Sequence, residues 1–136
     1  MSARHKARKR ALDFLFEADL RKLDPFELFS TREKSEISEQ AYAGEIIQGV
    51  LAHKDKIDEL IISYAEGWDL DRMPVVDRNI LRIALFEMFW SPSVPSDVLI
   101  SEALLLSDEN STADSTKYIN GVLSRILALK PSLNIN

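Results

Sequence analysis

The apolar positions of this chain recur at spacings of three and four instead of alternating, which predicts helices along its whole length. Over Ala3 to about Leu23, Ala7, Ala11, Phe14, Leu15 and Ala18 fall on one face of a first helix. Lys6, Lys9 and Arg10 project to the other side, Arg4 and Arg8 flank the edge of the apolar stripe, and Phe16 points away from it. Asp24-Pro25 breaks this helix. Residues 26–38 are polar and mixed, the pattern of a loop with a short helical turn. A second helix, from about Ser38, carries Tyr42, Ile46, Ile47, Val50 and Leu51. A third, from about Asp55, carries Ile57, Leu60, Ile61 and Tyr64, with Gly67 as its C-cap. Residues 68–74 form the connection and the candidate boundary between two helical halves, 1–67 and 75–130.

Val75 to about Trp90 is apolar around most of its circumference, which places it in the middle of a bundle. Arg78 and Arg82 are like charges one turn apart and need carboxylates, for which Asp69 and Asp71 are the near candidates. Glu87 falls among apolar positions and needs a partner of its own, so Arg82 and Glu87 read as a buried ionic network. Pro95 suits the first position of a helix to about Ser107, and residues 108–113 read as a loop. Ser111-x-x-Asp114 resembles a capping box opening a last helix to about Leu129, stopped by Pro131. No β-alternation and no internal repeat appear. The expected fold is all-α, with about six or seven helices.

Composition narrows the chemistry. The 136 residues include no cysteine and only two histidines, His5 and His53, which removes disulfides, thiol catalysis and the common zinc motifs. No apolar stretch approaches the roughly 20 residues of a membrane span, and no signal core follows the basic start, so a cytoplasmic location is expected. The net charge of −5 is unevenly spread: residues 1–22 hold seven Lys/Arg against three acids, and the other 114 hold ten against nineteen. A basic helix on an acidic body suits phosphate at one end and a basic protein elsewhere. Gly44 and Gly49 lack the Lys-Ser/Thr of a phosphate-binding loop, and no nucleophile elbow, zinc helix or calcium loop occurs. The chain reads as a binding protein without cofactor or metal, and not as an enzyme.

Three stretches stand out together: the basic opening Ala3-Arg4-His5-Lys6-Ala7-Arg8 running into Ala11-Leu12-Asp13-Phe14-Leu15-Phe16; Trp68-Asp69-Leu70-Asp71-Arg72-Met73-Pro74 with Asp77 to Glu87; and Val98 to Ala103 with Asp114 to Leu123. In this order and spacing they resemble the NusB family of bacterial transcription antitermination factors. The resemblance covers essentially the whole chain. It implies two small helical bundles set perpendicular to each other. It also implies binding of boxA-type single-stranded RNA from rRNA leaders, together with the ribosomal protein NusE, within an RNA polymerase elongation complex that resists termination.

Carried over by position, Arg4, His5, Lys6 and Arg8 match the family's arginine-rich RNA-binding opening, with His5 at a frequent arginine. Phe16 and Tyr118 match aromatic positions, and Asp114 and Lys117 lie a turn or less from Tyr118. Cations neutralising phosphates and aromatic faces stacking on splayed bases suit single-stranded RNA. Asp77 and Arg78 match the charged start of the central helix, where NusE docks. Blander roles stay open: Phe16 and Tyr118 as core, Asp114 as a helix cap, Lys117 as an ordinary surface lysine, Asn120 tying a neighbouring backbone, and Gly121 at a close helix crossing. Ser101 replaces a common asparagine and Ser107-Asp108 a region with lysine, so RNA affinity without the partner is expected to be weak. The rival readings are an RNA-free helical adaptor or homodimer, and a helical module of an rRNA methyltransferase, for which the chain has no Gly-rich methyl-donor loop.

Overall fold

A computed structural model describes residues 2–32, 38–133 and 135. Among them are seven α-helices and a short 3-10 turn, with no strand: α1 (Ala3–Arg21), α2 (Pro25–Arg32), α3 (Ser38–Ala52), α4 (Lys54–Tyr64), α5 (Val75–Trp90), α6 (Ser96–Asn110) and α7 (Ala113–Leu129), then Lys130–Ser132. The fold is all-α. The central helix α5 packs against α1, α3, α4, α6 and α7, so a single apolar core joins both halves.

The boundaries follow from local chemistry. Ser2 caps α1 by accepting the His5 backbone N–H at 3.0 Å. Lys22 ends the helix in the left-handed conformation (φ 58°), its N–H closing on the Ala18 carbonyl, two residues before the expected end. The short helical turn expected in the segment after Asp24-Pro25 is the eight-residue α2. Asp24 Oδ1 caps it, accepting the N–H groups of Phe26 and Glu27 at 2.9 and 3.0 Å. Its buried Phe29 anchors it edge-on to Phe14, centroids 5.4 Å apart. The rest of that segment, residues 33–37, lies outside the described residues.

α3 and α5 approach closely at Gly49, where an added Cβ would sit 2.0 Å from Phe86 Cε1. The C-cap of α4 is Ala65; Gly67 lies beyond it in the turn, with φ +86°. Pro95 is the N-cap of α6 and not its first residue, and α6 continues to Asn110, so the expected loop shrinks to Ser111-Thr112. Thr112, not Ser111, caps α7, accepting the Ser115 N–H at 3.1 Å.

Arg78 and Arg82 are answered by carboxylates from other helices, not by Asp69 or Asp71. Asp19 of α1 accepts Arg78 Nε at 2.7 Å and Nη2 at 2.9 Å, Arg82 Nη1 at 2.9 Å and Asn79 Nδ2 at 3.0 Å. Asp58 of α4 accepts Arg82 Nε at 2.9 Å and Nη2 at 3.1 Å. Burial alone would lift the Asp19 carboxyl, but hydrogen bonds from Arg78 and Asn79 and the charge of Arg82 hold it below the usual carboxylate range.

Candidate RNA and partner surfaces

The basic residues at the start of α1 divide by their place on the helix. His5 and Arg8 stand in line with Leu12 and Leu15 at helical spacing, and all four are buried. His5 Nδ1 lies 2.6 Å from Glu102 Oε2 and Nε2 2.9 Å from Glu109 Oε1, which fastens α1 to α6. Arg8 donates to Glu87 through Nε (2.9 Å to Oε1) and Nη2 (2.9 Å to Oε2), and the Tyr42 hydroxyl donates to Glu87 Oε2 at 2.5 Å. Burial pulls the Arg8 guanidinium's pKa down, and its bonds and charge contact with Glu87 reverse that to a net rise. Burial, then the bond to Glu87, pushes the Tyr42 phenol up to about 12, which keeps it a donor. His5 and Arg8, expected among the RNA contacts, thus turn inward, because each sits on the core face of α1 and meets a carboxylate there.

Arg4 and Lys6 remain outside. The Arg4 guanidinium lies over the Tyr42 ring, 4.3 Å from its centroid. Lys6 is exposed and makes no ion pair among the described residues. Lys6, Lys9, Arg10 and Arg32 line a groove of about 670 Å³, with Phe14 and Asn110 in its wall. Lys9 is neutralised locally by Asp13 at 2.5 Å and Arg32 by Glu17 at 2.7 Å. Phe16 is 37% exposed on the outer side of α1, a surface residue and not a core one.

A second cluster forms on α7. Asp114 and Lys117 are exposed in its opening turns, and Tyr118 is half-buried. Asp114 leaves the capping to Thr112 but suits the positive end of the helix. The Tyr118 hydroxyl donates to the Glu66 carbonyl at 3.3 Å, and its ring tilts against that of Trp68, centroids 5.9 Å apart. Partial burial and the Glu66 charge raise the Tyr118 phenol above its ordinary pKa.

The start of α5 is not a bare charged surface. Asp77 is buried, accepting Ser111 Oγ at 2.7 Å and Ser115 Oγ at 2.6 Å, while Arg78 is held by Asp19. The pair expected to meet a partner directly instead fixes α5 to α7 and to α1. Among the described residues no group of His, Asp and Glu could hold a metal ion, and no helix is long and apolar enough to cross a membrane.

The sequence and the fold have counterparts among known proteins. The profile of the NusB family matches residues 5–128. The chain belongs to the NusB family. It is 48% identical over 129 residues to the transcription antitermination protein NusB of Acidothermus cellulolyticus, covering 94% of this chain and 89% of that one. It is 51% identical over 130 residues to NusB of Salinispora tropica, covering 93% and 96%. Among solved structures it resembles Thermotoga maritima NusB, with TM-score 0.85, 31% identity and coverage of 92% and 90%. It also resembles a chain in the crystal structure of antitermination factors NusB and NusE in complex with double-stranded RNA, with TM-score 0.83, 26% identity and coverage of 94% and 98%. NusB-family proteins are transcription antitermination factors and not enzymes, which places this chain among regulators of transcription.

In this NusB-family chain, sequence reasoning missed Glu102 and Glu109, which hold His5, and Tyr42, which shares Glu87 with Arg8. A signal was present: positions 5, 8, 12 and 15 continue one core line into the basic opening. Trp68 lay within a recognised stretch but was not singled out, because an aromatic in a connection reads equally well as core.

Proposed function

We propose that this chain binds boxA-type single-stranded RNA jointly with the ribosomal protein NusE, and that the pair works in an RNA polymerase elongation complex during rRNA synthesis in the cytoplasm. The observation that carries this reading is that Lys6 on α1 and Lys117 on α7, both at positions matching the family's RNA-binding stretches, are exposed and make no ion pair among the described residues. Arg8, Arg32, Arg78, Arg82 and Arg125, by contrast, are tied to carboxylates. Arg4, Lys6 and Lys117 supply phosphate contacts, Phe16 and Tyr118 stacking faces, and Asp114 a polar edge beside Tyr118. His5 and Arg8 serve the same surface indirectly, by holding α1 in place. A solved structure of antitermination factors NusB and NusE with double-stranded RNA is a precedent for this fold meeting NusE and RNA together.

For NusE, the acidic body of the chain offers charge complementarity to a basic ribosomal protein. Asp77 and Arg78 act there as positioning residues that set the start of α5. The test is charge reversal at Arg4 and Lys6, singly and together. RNA binding is expected to be lost while NusE binding and thermal stability persist. Unchanged RNA binding in the double variant would refute the assignment, and absence of RNA binding by the unaltered chain with NusE present would favour a protein-only adaptor or homodimer.

A further inference from the structure

Gly121 occupies the centre of α7, and a Cβ added to it would meet nothing within 4 Å. The helix crossing expected there from sequence is absent. A glycine in a helix interior lowers helix stability relative to alanine, and no neighbour in the fold requires it. The surface around it is distinctive. Tyr118 precedes it by three residues, Lys117 by four, and Arg125 follows by four, so all are its neighbours on the helix surface. The Tyr118 ring meets Trp68, which is 44% exposed in the turn after α4. Arg125 is tied to Glu66 at 2.5 Å, whose carbonyl accepts the Tyr118 hydroxyl, so the aromatic pair is held from behind. Beyond Trp68, a hollow of about 250 Å³ is lined by Gly67, Asp69 and Arg72.

From this placement we infer that Trp68 and Gly121 complete an RNA-binding surface around Tyr118. An unstacked base lies on the Trp68–Tyr118 pair, and the adjoining sugar-phosphate crosses α7 at Gly121, where the missing Cβ permits close approach to the helix backbone. Lys117, exposed and without an ion pair among the described residues, meets the phosphate. The inference rests on the RNA reading given above. Single-stranded RNA fits better than a protein segment, because an open aromatic pair flanked by an unneutralised cation supplies both a stacking face and a phosphate contact.

The test measures RNA affinity in the presence of NusE, NusE affinity without RNA, and melting temperature, for the unaltered chain and for Gly121→Ala, Trp68→Ala, Trp68→Phe and Lys6→Glu. Gly121→Ala is expected to raise the melting temperature while weakening RNA binding about tenfold. Trp68→Ala should weaken it by about tenfold, as loss of one stacking partner does, and Trp68→Phe should restore most of it. Full RNA affinity in Gly121→Ala and Trp68→Ala, alongside loss in Lys6→Glu, would overturn the inference and leave the RNA reading standing. A lower melting temperature for Gly121→Ala would assign the glycine to the fold and overturn it too. Weakened NusE binding with unchanged RNA binding would make this a protein surface instead. No RNA binding by the unaltered chain would sink both readings.

Discussion

Arg8 and Glu87 face each other as a two-pronged ion pair inside the molecule, with Nε and Nη2 each 2.9 Å from a carboxylate oxygen. The pair joins the basic opening of α1 to the central helix α5, so an arginine that reads from sequence as an RNA contact instead positions the helix on which the proposed RNA contacts Arg4 and Lys6 stand. Removing one partner strands a buried charge. Glu87→Ala is expected to cost about 3–5 kcal/mol in urea unfolding, whereas Lys6→Ala should leave stability unchanged within about 0.5 kcal/mol. Similar losses from both would contradict this division of labour.

Tyr42 shares Glu87 with Arg8. Tyr42→Phe deletes one donor to a buried carboxylate and should cost about 1–3 kcal/mol. The folded phenol ionises later than an unfolded one. Its contribution to stability is therefore full below pH 10 and is lost as pH rises toward about 12. Absorbance titration of the folded protein should show a phenol ionisation near pH 12 that Tyr42→Phe removes.

Acid should act through Asp19. Its folded carboxyl titrates below the unfolded value, so its contribution is present above the ordinary carboxylate range and disappears as pH falls through the folded pKa. Asp19→Asn should flatten this acid limb of the stability profile. It should also destabilise the protein by about 3 kcal/mol, since Arg78 and Arg82 both lose a carboxylate. An acid limb identical in the variant would assign it to other carboxylates.

Gly49 carries a steric test of the α3–α5 contact. Gly49→Ala puts a methyl carbon into the Phe86 ring, and overpacking of this kind costs about 1–3 kcal/mol. Phe86→Leu in the same chain should recover part of that loss. Additive destabilisation would mean that the two residues do not share the space.

Where helices carry their own periodic core, the sequence was legible. α5 runs from Val75 to Trp90 as its apolar pattern indicates. The misreadings occur where tertiary contacts outweigh local pattern. α6 extends through polar Ser107 to Asn110 because those side chains find partners, Ser107 Oγ with Thr116 Oγ1 at 2.7 Å and Glu109 with His5. α2 rests on the buried Phe29 with Phe26 and Leu28 half-buried beside it, a pattern short enough to announce only a helical turn. Asp69 and Asp71 are near Arg78 in sequence, yet Asp19 and Asp58 are brought to the arginines by α1 and α4. The candidate site divided in the same way. Residue type identified the basic opening and helical spacing put Lys6 outside, but the inward place of His5 and Arg8 became plain only with the carboxylates they meet.

The most direct test of the central claim is a binding titration with a boxA-type single strand and a scrambled control, with and without NusE, at 50 and 200 mM salt. Preference for boxA, tightening with NusE, and a fall of about tenfold or more between the two salt concentrations, as a few released counterions would give, are the expected results. Equal affinity for the two RNAs, or no binding to either with NusE present, would contradict the account.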